Sequence, residues 1–533
     1  MTKDRLSLTE WIVAAILTVV IVGLMVMRWQ SPGGIWRDEA ACVQLATMPT
    51  VGDLWNNFEH EAFPPPFPLL VRGYISLFGS SDFALHGFGF VVGLLLVTSL
   101  WGAGSILGHS PPLLSLALVG LNSSFLIWTS VIRGYGLACV TIPLFYACLF
   151  QARRTPSRKW ILLAILTAVL CVQCTLQNWL LVFAICVSAA LTSVIMRDYR
   201  TALISLGIGA AGALTVLPYV PRYLSADWRI LVKGEATMRE YLTALFFNIG
   251  APETVVGTIW IAFILLAVAI AIVALIRNRT ESHPEKDALV FGLCVTVLSL
   301  AITMEFLHAM NYSARTWYFL PLLTILACNT EMLLGRSLPR RLFRTGRLIL
   351  VVALAVTLVR PAWYLVQTRL TNIDLVVKTL EEQADPDDLI VSCPWYFGIS
   401  VQWYYHGPCR HLSVPIIGDQ PVHRYDLVAT RMKSPDPLGD LREEIEETLR
   451  AGRKVWIVGH LRPVPADGPR FYMPAPDPVV GWAEVYYTAS WMEQLADFIL
   501  RHGRRLEEIK VPIKESVALS EEIQLGRITG WKQ

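Results

Sequence analysis

Two short stretches hold the residues best suited to acid–base chemistry. Trp36-Arg37-Asp38-Glu39-Ala40-Ala41 sets two carboxylates side by side, and Glu59-His60-Glu61 follows about 20 residues later, ahead of Pro64-Pro65-Pro66. A placed carboxylate can take the proton of an attacking hydroxyl. Two carboxylates around an imidazole can also ligate a divalent metal, and consecutive prolines keep such a cluster on a stiff segment. Plainer roles compete with these. Gly33-Gly34 permits a turn, and Cys42, Leu45, Ala46 and Met48 form one apolar face, so Asp38 could simply cap a helix. Glu59, His60 and Glu61 could be solvated.

Two further groups carry cations and hydroxyls: Arg133-Gly134-Tyr135-Gly136, and Glu305, His308, Arg315 with Tyr318-Phe319-Leu320-Pro321. The fork of donors on Arg133 suits a phosphate, although an arginine at the end of a span can also snorkel. Glu305 falls in an apolar run, where a carboxylate is expected to be paired or functional. Arg222, Arg229, Lys233 and Arg239 suit either a lipid phosphate or anionic head groups.

The elements that must position these residues are apolar. The 533-residue chain is 54% hydrophobic, with a mean hydropathy of +0.49 and 16% charged residues; a soluble domain carries ~25%. That composition describes a polytopic membrane protein. With ~20 apolar residues per span, about eleven spans are expected, starting near Trp11, Phe83, Pro111, Gly134, Trp160, Trp179, Thr201, Thr254, Ala288, Thr316 and Leu348. The first run, Trp11 to Met27, resembles a signal peptide but lacks a small-residue cleavage site, so it reads as an uncleaved span. Lys and Arg crowd one set of connections, such as Arg153, Arg154, Arg158 and Lys159, or Arg336, Arg340, Arg341 and Arg344. The positive-inside rule then puts the N-terminus in the cytoplasm and the Asp38 loop outside.

The expected fold class is mainly α: a polytopic transmembrane helical bundle of about 11 spans with a C-terminal soluble α/β domain. Residues 1–369 would form the membrane domain, with the catalytic outer loop at 29–82, and 370–533 an extracytoplasmic domain. In that tail, 388–391 and 454–458 read as buried strands, 440–449 and 491–500 as amphipathic helices. No catalytic signature stands out there, so the tail is expected to cover the site or hold an acceptor. Cys393 and Cys409 could pair if the tail lies in an oxidising space.

Other patterns mislead. Gly207-Ile208-Gly209-Ala210-Ala211-Gly212 matches a dinucleotide fingerprint, but it lies within an apolar span where small residues let helices approach. Cys171-x-x-Cys174 also falls in a span, with no second pair to complete a metal site. Asn311-Tyr312-Ser313 is a glycosylation sequon. The net charge of +3 gives no reason to expect nucleic acid.

Asp38-Glu39-Ala40, then Pro65-Pro66-Phe67-Pro68-Leu69-Leu70, then Leu77-Phe78-Gly79-Ser80-Ser81-Asp82-Phe83-Ala84-Leu85 resembles the first outer loop of the bacterial dolichyl-phosphate-mannose–protein mannosyltransferase-like proteins of the GT-C superfamily. Arg133-Gly134-Tyr135 resembles that family's R-x-Y segment, and Arg315, Tyr318 and Pro321 its late R-x-x-Y-x-x-P element. The chain departs from the pattern at Phe67, where Tyr is common, and at His86, where Arg is common. The resemblance implies an inverting glycosyltransferase in a bacterial plasma membrane. The donor would be a polyprenyl-phosphate sugar, and the acceptor a protein, glycolipid or polysaccharide. It further implies Asp38 as general base, Arg133 and Arg315 facing the lipid phosphate, and Glu39, Glu59, His60, Glu61, Tyr135, Glu305 and Tyr318 around the substrates. No nucleotide site is required and no cofactor is expected, with a divalent metal as the open alternative. Two rival classes are a transporter or flippase of lipid-linked sugars, which would place ionisable groups near the midplane and show internal repeats, and a scaffold whose tail recruits partners.

Overall fold

The computed structural model describes residues 3–31, 33–108, 111–233, 236–277 and 283–532. Among these, seven helices are long and apolar enough to cross a membrane: Leu6–Gln30, Asp82–Leu107, Tyr135–Arg154, Gln177–Ile195, Thr254–Arg277, Pro284–Met310 and Arg340–Leu365. They coincide with seven of the eleven expected spans. The other four apolar runs are helical but shorter, broken or more polar. The run from Leu113 to Trp128 breaks at Leu121-Asn122, where the Asn122 side chain caps the second piece. Arg158–Cys174 has 17 residues and Tyr199–Leu214 has 16. Leu320–Ser337 carries Asn329, Glu331 and Arg336.

Large apolar side chains stand exposed around this bundle, among them Val19, Leu203, Leu265, Val297 and Val356. Such a surface is normal only against lipid or a partner. Inside, small residues set the spacing. Gly209 of the false fingerprint lies against Cys186 and Gly212 against Ala168, so the motif is helix packing.

One buried charge network joins the first and last spans. Arg347 donates to Glu10 at 2.8 Å and lies 3.3 Å from Glu331, and Arg344 also pairs with Glu10. Ser115 donates to Glu331 at 2.8 Å. Each ion has its partner, which a charge in an apolar interior requires. Glu10 lies 20 residues before Gln30 along one helix, so about 30 Å separates this network from the Asp38 end.

The loop between the first two long spans is folded. Its helices are Arg37–Ala46, Val51–Asn57 and Pro66–Phe78, with a 3-10 turn at Phe58–His60. Thr50 and Asp53 cap the second reciprocally at 3.0 and 2.9 Å. Pro66 opens the third, where its missing N–H costs nothing.

The tail forms a five-stranded mixed sheet: β1 Leu389–Cys393, β2 Arg410–Ser413, β3 Lys454–Gly459, β4 Gly503–Glu508 and β5 Leu525–Trp531. The order is β2-β1-β3-β5-β4, with β1 parallel to both β2 and β3, and β5 antiparallel to β3 and β4. β1 is buried along its whole length, as befits a central strand covered on both faces. Helix Glu484–His502 buries Tyr487, Trp491, Leu495 and Ile499, a stripe at every fourth residue. Cys393 and Cys409 are both free thiols. Leu389 pairs with Arg410, so Cys393 stands four residues further up the sheet than the strand end beside Cys409. At ~3.3 Å per residue that separation exceeds what a disulfide bridges.

Candidate active site

The tail rests on the loop, and the candidate site lies in that seam. Tyr404 donates to Asp82 and accepts from the Ile35 amide, both at 2.7 Å. Gln44 donates to the Ile399 carbonyl at 3.0 Å. The Arg37 guanidinium lies 4.0 Å over the Tyr396 ring and 3.4 Å from Glu521. These contacts fix the Arg37–Ala46 helix, and with it Asp38.

Asp38 is not the cap of its helix. Trp36 occupies that position, and Asp38 falls in the first turn, where a carboxylate is favoured by the helix dipole. Its side chain is 17% exposed, enough to meet a ligand. Arg37 Nε lies 3.6 Å from its carboxylate and His423 Nε2 3.5 Å.

Glu39 faces inward. One oxygen accepts from the Trp36 amide at 3.2 Å and the other from the Ile132 amide at 2.8 Å. It therefore braces the start of the Asp38 helix against the turn that carries Arg133, and is not open to an acceptor. Burial, only partly offset by these two amides, pushes its carboxyl up to about 7.

The Glu-His-Glu cluster diverges. Glu59 binds Arg222 through both oxygens at 3.0 and 3.1 Å, and its carbonyl accepts from Trp228. His60 points to Asp426 at 3.9 Å, and burial lowers its imidazole below the usual range. Glu61 is buried, with His423 Nδ1 at 2.6 Å on one oxygen and Arg133 at 2.5 Å on the other. Burial pushes Glu61 up, but His423 and Arg133 outweigh it and hold the carboxyl at about 2. Three side chains pointing three ways do not chelate, and no group of three or more His, Cys, Asp or Glu among the described residues is arranged around a metal.

Arg133 also faces inward. Besides Glu61 it donates to the Asp38 carbonyl at 3.2 Å and lies 4.7 Å from the Phe63 ring. Its charge is paired with Glu61. Gly134 follows because no side chain fits: an added Cβ would stand 2.1 Å from the Cys174 carbonyl. Tyr135 stacks on Trp317 at 5.8 Å, and Trp317 meets Trp128 at 4.7 Å, which meets Trp36 at 5.5 Å. Tyr318 is adjacent, and the charges of Arg315 and Asp38 both act on it. Arg315 is exposed, and its side chain has no hydrogen bond or ion pair among the described residues. Glu305 is exposed on its helix, unpaired among the described residues, and no contact ties it to this group. Of the two roles expected for it, paired or functional, the described residues supply no pairing partner.

Sequence reasoning missed His423, Glu521, Tyr396 and Tyr425. Tyr425 stacks on the His423 ring at 6.0 Å. Burial pushes Glu521 up to about 7 against the pull of Arg37. The only signal was local: His423-Arg424-Tyr425-Asp426 is a polar, aromatic run just after Pro421. A cavity of about 520 Å³ lies elsewhere, lined by Gln151, Arg153, Asp198 and Asp287 at the far end of the Tyr135–Arg154 helix.

No family model and no curated protein matches the chain. Solved structures show some similarity in fold. ArnT from Cupriavidus metallidurans bound to undecaprenyl phosphate is 12% identical over 84% of this chain and 93% of that one, with a TM-score of 0.48. The same protein in the apo state is 14% identical over 91% and 99%, with a TM-score of 0.47. The arabinofuranosyltransferase AftD from Mycobacteria is 13% identical over 99% of this chain and 40% of that one, with a TM-score of 0.46. At these values the likeness is one of general chain course, and the chemistry rests on the residues described above.

Proposed function

We propose that the protein is an integral membrane glycosyltransferase that moves a sugar from a polyprenyl phosphate to an acceptor hydroxyl or amine, with inversion, at the outer leaflet. One observation carries this reading. Three stretches distant in sequence, Arg37-Asp38, Arg133-Gly134-Tyr135 and Arg315 to Tyr318, come together at a bundle end: Arg133 donates to the Asp38 carbonyl, and Trp317 lies 5.8 Å from both Trp36 and Tyr135, beside a partly exposed Asp38 carboxylate.

Asp38 takes the proton of the acceptor as the new glycosidic bond forms. The bond from the anomeric carbon to the phosphate oxygen breaks, and its electron pair leaves with the lipid phosphate. That leaving anion needs cations placed beforehand. Arg315, exposed and unpaired among the described residues, and Arg37, partly exposed, supply them. The Tyr135, Trp317 and Trp128 rings offer faces for the apolar side of a sugar. Glu39, Glu61 and Arg133 act from behind by holding the two loops in register.

The test is the purified protein in detergent, incubated with a panel of polyprenyl-phosphate sugars and read by donor consumption. Wild type consumes at least one donor and Asp38→Asn, with the same elution profile and melting temperature, consumes it at least about 10²-fold more slowly. Wild-type rates in Asp38→Asn remove Asp38 as base. Absence of turnover with every donor, in the presence of acceptor extracts, removes the function.

A further inference from the structure

Behind Asp38 the side chains form a line that crosses from the membrane domain into the tail and back. Asp38 faces His423 Nε2 at 3.5 Å, and His423 Nδ1 lies 2.6 Å from Glu61. Glu61 in turn meets Arg133 at 2.5 Å. The Glu61 oxygen that faces the ring also accepts from the His423 backbone amide at 3.2 Å. Two donors on one oxygen fix the imidazole in position. They also set its tautomer: Nδ1 carries the hydrogen toward Glu61, and Nε2 presents a lone pair toward Asp38. The ring is held on its faces as well, by Tyr425 stacked at 6.0 Å and Trp395 edge-on at 6.2 Å. Glu521 is the remaining charged neighbour whose field reaches the ring. His423 is therefore a base held close to the carboxylate that collects the reaction proton, with a buried anion on its other side.

Resting on the glycosyl-transfer reading, we infer that His423 is a positioning and proton-holding residue for Asp38, supplied by the C-terminal domain. The acceptor proton passes first to the Asp38 carboxylate as the acceptor oxygen or nitrogen bonds to the anomeric carbon. It then moves to His423 Nε2 as the two groups close from 3.5 Å to hydrogen-bond distance. This leaves an imidazolium between the Asp38 and Glu61 carboxylates, and Asp38 is again an anion. The proton later leaves to water, and no redox partner or co-reactant is needed. Glu61 orients the ring and stabilises its charge without taking the proton, as the buried acid does in other acid–histidine pairs. Arg133 keeps Glu61 ionised. The tail is thus part of the reaction machinery as well as a cover.

The variant that separates relay from packing is His423→Asn. Its amide nitrogen falls where Nδ1 stood and can still donate to Glu61, but nothing replaces Nε2. The expected result is a kcat at least about tenfold lower and an unchanged KM for donor. Free imidazole restores rate in His423→Gly. His423→Asn and His423→Gly are first matched to wild type in elution profile and melting temperature, which guards against misfolded variants. Wild-type kcat in a folded His423→Asn, or no rescue by imidazole in a folded His423→Gly, overturns the relay. Either leaves the transferase reading intact provided Asp38→Asn remains inactive. If wild type turns over no donor at all, it is the transferase reading that has failed.

Discussion

Replacing Glu61 by Gln tests how the two parts of the chain are held together. Glu61 touches Arg133 of the membrane domain and His423 of the tail, and is 1% exposed. Its carboxyl is held at about 2 against an ordinary 4.5, and that displacement converts to about 3 kcal/mol of stabilisation. An independent route agrees, since removing one partner of a buried ion pair costs about 3–5 kcal/mol. The sign follows from linkage. A depressed carboxyl stabilises the fold above its unfolded value and loses that contribution as pH falls through the folded one. The stability gap between wild type and Glu61→Gln is therefore full near pH 7, begins to close below about 4.5 and closes further toward about 2. Chemical unfolding in detergent, followed by near-UV circular dichroism, measures it. Equal stability at neutral pH, or a gap that stays constant into acid, refutes the assignment of Glu61 as an ionised link.

Glu39 obeys the opposite sign. Its carboxyl is raised from 4.5 to about 7, so wild type loses stability as pH rises across that interval while Glu39→Gln does not, and a pH series comparing the two checks it. Gly134→Ala pushes a methyl against the Cys174 carbonyl and displaces Arg133, so donor turnover falls well beyond the loss in Gly207→Ala, whose added carbon meets nothing; parallel activity assays decide. Arg347→Met leaves Glu10 and Glu331 with reduced compensation and lowers stability by about 3 kcal/mol or more, read by thermal unfolding in detergent.

Much of the scaffold was legible because apolar length is a local property. All the expected apolar runs are helical, and β1 and β3 stood out as runs of Leu, Ile and Val or of Val, Trp and Ile. β2 and β4 did not, since Arg410-His411-Leu412-Ser413 and Gly503-Arg504-Arg505-Leu506-Glu507-Glu508 are partly exposed edge strands with polar sequences. Polar residues within a helix, such as Glu331, have partners that only the fold provides. The acids at 38, 39 and 61 were visible as types, but not their division of labour. Which of them faces solvent depends on Ile132, Arg133 and His423. His423 lies 362 residues from Glu61, beyond anything spacing can report.

The Glu10 network has a consequence for biogenesis. The first helix leaves the ribosome with an acid near its start, and the arginines that neutralise it belong to the last spanning helix, more than 330 positions later. Until that helix is threaded, the acid has only lipid, water or the insertion machinery as company. Arrival of the last span thus acts as a latch: the bundle locks shut, and the sheet domain made next settles onto a finished platform.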